Sequence, residues 1–245
     1  MQQEPVLVAR GLRKRFRKTQ AVDGVDITVE VGERVALLGA NGAGKTTTLL
    51  MLLGAITPDE GTIDLLGYRL PHGRSKAMRS VGFSAGYLPL PDRLRVIEVL
   101  RVFADFYGVA DAERTARAGL ERFGISHLAN DMASELSSGQ RTLVALVKGT
   151  MHSPQFLVLD EPTASLDPDV AARARRGLED LMSADNTSLL VTSHNMTEVE
   201  RICERVIFIS RGTVVADGRP ADVATQFGRD SLEAVFLQLA SEEDR

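Results

Sequence analysis

Two short stretches of this chain carry residue types that handle a polyphosphate. The first reads G-A-N-G-A-G-K-T from Gly39 to Thr46 and fits G-x-x-x-x-G-K-[ST] at every fixed position. Such a loop must turn successive backbone N–H groups inward around an anion, and glycines permit both the turn and the close approach. The expected nucleotide-binding set is Gly39, Ala40, Asn41, Gly42, Ala43, Gly44, Lys45, Thr46 and Thr47. Lys45 can reach the β and γ oxygens, the Thr46 hydroxyl can ligate Mg²⁺, and the helix that follows adds its positive N-terminal end. The second stretch is Asp160-Glu161, delivered by the apolar run Phe156–Leu159. Asp160 is the expected Mg²⁺ ligand, directly or through water, and Glu161 the group that polarises an attacking water. Isolated at a strand end, such a pair is more often a solvated turn; beside a phosphate loop the carboxylate reading wins. The loop alone establishes nucleotide binding without choosing among kinases, GTPases, helicases and transporters.

These groups need a scaffold, and the pattern around them reads as α/β. Val6–Ala9, Val25–Glu30 and Arg34–Leu38 are β-rich, with alternation at Val25, Ile27 and Val29 marking a half-buried strand. Val35–Leu38 is continuously apolar, as a strand covered on both faces would be. It runs through the glycine-rich turn into an expected helix over Thr46–Leu53, followed by a strand at Thr62–Leu66. From about 95 to 130, Val96, Val99, Leu100, Phe103 and Phe106 and then Ala116, Leu120 and Phe123 recur at helical spacing. This segment is expected to be a helical subdomain inserted into a core made of 1–94 and 131–228. The core resumes with helix Gln140–Met151, strand Phe156–Leu159, helix Asp169–Met182, strand Ser188–Thr192, a short helix, and strands Val206–Ile209 and Val214–Ala216. Residues 229–245 carry an apolar stripe, Leu232, Val235, Phe236 and Leu239, expected to be a closing helix packed on the core rather than a partner-binding face.

The chain has 245 residues, 44% apolar and 25% charged, which suits a single domain with a real core. A net charge of -4 and a pI near 5.7 argue against a nucleic-acid partner, whose binders carry a basic footprint. A single cysteine, Cys203, excludes an intrachain disulfide and suits a reducing, cytoplasmic setting. No run reaches the roughly 18 apolar residues of a membrane span, and the first ten residues lack the apolar centre of a signal peptide. Any membrane role is therefore expected to pass through a partner.

A third motif decides the class. Leu136-Ser137-Ser138-Gly139-Gln140 resembles the LSGGQ signature of ABC ATPases. The resemblance extends over nearly the whole chain. Asp160 through Pro168 looks like that family's Walker B segment and D-loop, Thr192-Ser193-His194 like its His switch, and Arg15-Phe16 like its adenine-stacking loop. What it implies is a P-loop NTPase core with an antiparallel β subdomain and an inserted α-helical subdomain, binding ATP and Mg²⁺ and hydrolysing ATP. It implies a dimer of cassettes, expected to be a homodimer. Each ATP is held by the phosphate loop of one copy and by Ser137, Ser138, Gly139 and Gln140 of the other. Phe16 is implied as the adenine platform, His194 as the γ-phosphate contact, and Asp167 as a catalytic neighbour of Glu161. A separate integral-membrane permease is the implied partner, which places the chain at the cytoplasmic face of the membrane.

The sequence departs from the family pattern in places. The family's glutamine after the strand at Val81–Ala85 falls on Gly86, and no glutamine stands between Gln20 and Gln140; Ser84, backbone or water are the available substitutes. Ser138 replaces the commoner glycine, and Leu143 stands where arginine is frequent, with Arg141 nearby. The segment from Phe83 to Val109 and the ending S-L-E-A-V-F-L-Q-L are similar to prokaryotic exporter cassettes with a separate permease. Residues 84–95, with Tyr87, Leu88 and Leu90 as exposed apolar residues, and the helices behind them are the expected permease-coupling surface. The basic group Arg13, Lys14, Arg15, Arg17 and Lys18 reads as a solvated loop rather than a lipid-headgroup site. Two other readings remain: a soluble ABC ATPase of DNA repair or translation, against which the short phosphate-loop-to-signature gap and single cassette speak, and a nucleotide-gated scaffold with weak hydrolysis, motivated by the missing glutamine.

Overall fold

The structure, a computed structural model, describes residues 4–86, 89–164 and 166–243. The chain forms two units, one from residues up to 78 and from 188 onward, the other from residues 79–187.

In the first unit, β1 (Leu7–Phe16) pairs antiparallel with β2 (Thr19–Val29) and with β4 (Glu60–Leu65), and β5 (Tyr68–Arg69) closes the edge. Leu7, Ala9, Leu12, Val25, Ile27 and Val29 are buried, so alternation hides one face. A separate run of strands carries the phosphate loop. β3 (Arg34–Leu38) lies between β8 (Ser188–Thr192) and β9 (Arg205–Ser210), parallel to both, and β10 (Thr213–Gly218) returns antiparallel on β9. Val35 to Leu38 are all inaccessible, which is why their sequence is continuously apolar instead of alternating. The helices of this unit are α1 (Lys45–Leu52), the one-turn α2 (Arg74–Ala77), α7 (Met196–Ile202), α8 (Pro220–Gln226) and α9 (Leu232–Glu243).

In the second unit, β6 (Val81–Ala85) and β7 (Phe156–Asp160) pair in parallel. Between them in sequence run α3 (Val96–Tyr107), α4 (Ala112–Arg122) and α5 (Ser138–Thr150), and α6 (Pro168–Asp185) follows β7. α3 begins where the Glu98 carboxylate accepts the Arg95 N–H at 2.8 Å, and it stops at Gly108 in the left-handed conformation. Its buried face, Val96, Val99 and Leu100, contributes about 1.5–3 kcal/mol for each side chain removed from water. Gly119 of α4 is needed for packing: a Cβ there would stand 2.6 Å from Val147 Cγ1 of α5. A Tyr107 ring stacks on His152 at 3.6 Å, and Lys148 sits 4.8 Å from the Phe103 ring centre.

Several expectations change. The basic group is only partly a loop. β1 continues through Phe16, where Arg13 pairs with Asp23 and Glu60 and Lys14 with Asp59, while Arg17 and Lys18 form the exposed turn between β1 and β2. Leu90, expected to be exposed, is 5% exposed and stands just before a turn closed by the Leu94 N–H donating to Pro91 O at 3.3 Å; Tyr87 and Leu88 lie outside the described residues. α6 starts one residue earlier than expected and runs three residues longer, with Pro168 at a first-turn position where its missing N–H costs no helical bond. The α8 turn escaped the sequence pattern because so short a helix shows no period.

Candidate functional site

Buried β3 ends at Leu38, and the chain then bends around Gly39 to Gly44. Gly39 and Gly44 are required for fit. A Cβ on Gly39, at φ 151°, would overlap the Ile209 carbonyl oxygen of β9, and one on Gly44, at φ 109°, would overlap the Ala21 carbonyl oxygen of β2. Gly42, at φ 88°, meets nothing within 4 Å and is needed for its backbone angle alone. The loop is held from the far side by the β9–β10 turn, where Gly212 N–H donates to Ala43 O at 2.9 Å.

α1 starts at Lys45 with Gly44 as its cap. No side chain caps this end, and no acid stands in its first turn. No side-chain oxygen therefore competes for the positive end of the helix dipole, which is where an external anion could bind. Lys45 is 8% exposed, and its ammonium donates to Gly39 O at 2.7 Å and Ala40 O at 3.0 Å. A cation inside a ring of N–H donors is the chemistry a polyphosphate requires. Thr46 is exposed and Thr47 half-buried at the start of α1.

Beside the loop lies a cleft of about 590 Å³, lined by Ala40, Asn41, Gly42, Ala43, His194, Arg211, Phe236 and Ala240. His194 reaches it from the end of β8. Its backbone is held on the following side, where Ser193 Oγ accepts the Asn195 N–H at 3.0 Å and Asn195 Oδ1 accepts the Glu198 N–H at 3.2 Å to cap α7. The His194 and Phe236 rings meet edge to face, 5.7 Å between centres and 73° between planes. Phe16 is 45% exposed at the end of β1, with Lys14 Nζ 5.7 Å from its ring centre; it is absent from the described lining of the cleft. Lys14 is tied down by Thr57 O at 2.8 Å and Asp59 at 2.7 Å. The Lys14 hydrogen bond, followed by the Arg15 N–H, holds the Asp59 carboxyl below its ordinary range.

The other candidate residues belong to the second unit. Asp160 ends β7 and is 6% exposed. Glu161 follows, half-buried, at φ 52°. A non-glycine residue in the left-handed region costs about 1–2 kcal/mol, and such residues concentrate at functional sites. A Cβ on Gly86 would stand 4.0 Å from Glu161 O. Ser84 is 3% exposed, with its Cβ 3.5 Å from where a Cβ on Gly149 of α5 would stand.

Ser137 caps α5. Its Oγ accepts the Gln140 N–H at 3.3 Å, while Gln140 Oε1 accepts the Ser137 N–H at 2.8 Å. Ser137 and Ser138 are exposed, Gly139 and Gln140 half-buried. Gly139 also brings α5 close to α6, because a Cβ there would stand 3.2 Å from Val170 Cγ1. Arg141 braces the loop through Leu136 O at 3.2 Å and Ser134 O at 3.0 Å. Asp167 caps α6 by backbone only, exposed, and Ser165 of the same segment lies outside the described residues.

Sequence reasoning did not single out Arg211 for this site and placed Phe236 in the core. The hint for Arg211 is its position before Gly212 in a tight turn between two apolar strands. A hairpin tip after the strand next to β3 is a place from which a side chain reaches the loop.

The phosphate-loop set and His194 thus share the first unit, and Asp160, Glu161, Asp167 and 137–140 share the second. Compared with known proteins, residues 22–164 match the family described as ABC transporter. The chain is 36% identical over 231 residues to the Nod factor export ATP-binding protein I of Cupriavidus pinatubonensis, covering 93% of this chain and 71% of that protein. It is 34% identical over 250 residues to the probable multidrug ABC transporter ATP-binding protein YbhF of Escherichia coli, covering 99% and 43%. A solved ATP-binding subunit of an ABC transporter superposes with a TM-score of 0.87 at 28% identity, covering 96% of this chain and 99% of that one.

Proposed function

The chain belongs to the ABC transporter family as an ATP-binding, ATP-hydrolysing subunit with that family's α/β fold, and from this premise we propose how its residues divide the work and what they drive. The observation that carries the reading is the uncapped, acid-free start of α1 behind a loop whose glycines admit no side chain at Gly39 and Gly44. Backbone N–H groups from 39–47 hold the phosphates of ATP, and Lys45 turns from its two carbonyl partners to the β and γ oxygens. Thr46 and Asp160 are the residues that would hold Mg²⁺, which would offset the charge of the phosphates. Phe16 stacks on adenine. Glu161 orients and polarises the attacking water, and His194 donates a hydrogen bond to the γ-phosphate.

The exposed hydroxyls of Ser137 and Ser138 and the start of α5 receive the γ-phosphate bound to a second copy, with Asp167 beside Glu161 at the joint. ATP then joins the two copies, and its hydrolysis removes the group that joins them. Support comes from α5 itself: beyond the Gln140 N–H taken by Ser137, the leading N–H groups of this helix sit behind exposed serines.

The work is delivered to a separate membrane-spanning permease, and the direction is export, as in the relative whose name states it. Among the described residues no helix is long and apolar enough to cross a membrane. Phe106, 78% exposed, and Val102, 42% exposed, on α3 offer the permease an apolar contact in place of buried Leu90. The test is direct. Purified chain with ATP and Mg²⁺ should release phosphate and show an ATP-dependent shift to twice its mass. Absence of phosphate release would refute the catalytic roles, and hydrolysis by a strict monomer would refute the shared site.

A further inference from the structure

The four apolar residues spaced along α9 do not share one fate. Leu232, Val235 and Leu239 are buried. Phe236 is half-buried, and with Ala240 one turn on it lines the cleft that also holds His194, Arg211 and the phosphate loop. Its ring stands edge to face with the His194 imidazole, 5.7 Å away at 73°. That distance and tilt are those of a favourable aromatic pair.

The helix carrying this ring is pinned at its start. Ser231 Oγ accepts the Ala234 N–H at 3.2 Å, and Arg229 Nε donates to Gln238 Oε1 at 2.9 Å. The stretch carrying His194 is pinned as well, through Ser193, Asn195 and Glu198. With both backbones held, the ring-to-ring contact limits the rotation of an exposed imidazole. Phe236 presents no polar atom to a phosphate, so it has no direct means of binding one.

We propose that Phe236 is a positioning residue for His194. It holds the imidazole in the orientation that offers a ring N–H to the terminal phosphate, and so couples the C-terminal helix to the rate of ATP hydrolysis and not to ATP affinity. This rests on the assignment of His194 to the γ-phosphate. An edge-to-face pair biases ring orientation by about two- to tenfold, which sets the size of the effect.

The experiment uses the full chain with ATP and Mg²⁺, comparing Phe236→Ala, Phe236→Leu, Phe236→Tyr and His194→Ala. Turnover is read as kcat and KM, affinity as the Kd of a non-hydrolysable ATP analogue, and ring environment as the His194 ring-proton chemical shifts. Phe236→Leu keeps the helix docked with an apolar side chain while removing the ring. The expected result is a kcat about two- to tenfold lower in Phe236→Ala and Phe236→Leu, with analogue Kd within about twofold and the His194 signals moved. Phe236→Tyr restores kcat, and adding Phe236→Ala to His194→Ala changes nothing further. A wild-type kcat in Phe236→Leu overturns the proposal, as does a loss of affinity as large as the loss of rate. If His194→Ala hydrolyses at the wild-type rate, the His194 assignment falls and the proposal with it. If His194→Ala is inactive while Phe236→Leu is fully active, only the role of Phe236 falls.

Discussion

Replacing Gly44 by alanine places one methyl group at the joint between the phosphate loop and α1. The residue sits at φ 109°, beyond the left-handed well that L residues enter, which costs about 1–3 kcal/mol. The new Cβ would also overlap Ala21 O, inside the 3.0 Å that real Cβ atoms essentially never cross. Ala21 cannot retreat freely. It belongs to β2, and two residues on Asp23 N–H donates to Gly212 O at 2.8 Å, while Gly212 N–H donates to Ala43 O at 2.9 Å. Relieving the overlap moves a strand, a hairpin tip and the loop together, and overpacking of this kind costs about 1–3 kcal/mol more. The sum, about 2–6 kcal/mol, lowers the melting temperature of a chain this size by about 4–24 °C. Gly42→Ala is the matched control, because at φ 88° its Cβ meets nothing within 4 Å and only the backbone term of about 1–2 kcal/mol remains. Far-UV circular dichroism melts of both variants, with titration of a fluorescent ATP analogue, measure the difference. Gly44→Ala should melt well below Gly42→Ala and lose at least about tenfold in nucleotide affinity, since the first N–H groups of α1 leave their positions. Equal melting temperatures for the two variants would refute the steric argument.

Lys45→Ala removes the one cation the loop encloses, and nucleotide titration should show affinity lost beyond the measurable range; near-normal binding would remove Lys45 from the β/γ contact. Glu161→Gln keeps the backbone turn and loses the base, so phosphate release should fall by roughly 10²–10⁴-fold while ATP-bound dimer accumulates in gel filtration. A monomeric, fully active variant would sink the assignment. His152 supplies a pH dependence. Burial lowers its pKa from 6.5 to about 4, against the opposing effect of its hydrogen bond to Val81 O, and Nδ1 has no hydrogen-bond partner among the described residues. The unfolded chain therefore binds more protons than the folded one between those values. The stability from neutral His152 is complete above about pH 6.5 and is lost as pH falls toward 4. Urea titrations should show a shallower loss of stability over that window in His152→Gln than in the parent, and identical slopes would overturn the account.

Much of the architecture was legible because it is written in local chemistry. The Gly39–Thr46 spacing dictates a loop at any position in any chain, since glycine tolerance and the helix that follows act over a few residues. Runs such as Val35–Leu38 and Phe156–Leu159 announce strands covered on both faces through the absence of any polar residue. The helix expected from Gln140 begins two residues earlier, at Ser138, because Ser137 and Gln140 close a capping box whose two hydrogen bonds are both present. The family followed from these motifs and their order. Other features depend on neighbours distant in sequence. Arg13 and Lys14 read as part of a solvated loop, but both lie in β1, where Asp23 of β2, Glu60 of β4 and Asp59 just before β4 pair with them. Leu90 read as exposed beside two prolines, yet it is buried. The stripe on α9 has a helical period that predicts one apolar face; period alone does not say where that face ends. Tertiary packing buries Leu232, Val235 and Leu239 and leaves Phe236 at the boundary, against His194 from a strand some forty residues earlier. Periodicity records which residues avoid water, whereas the contact each one makes is decided by how elements remote in the chain pack together.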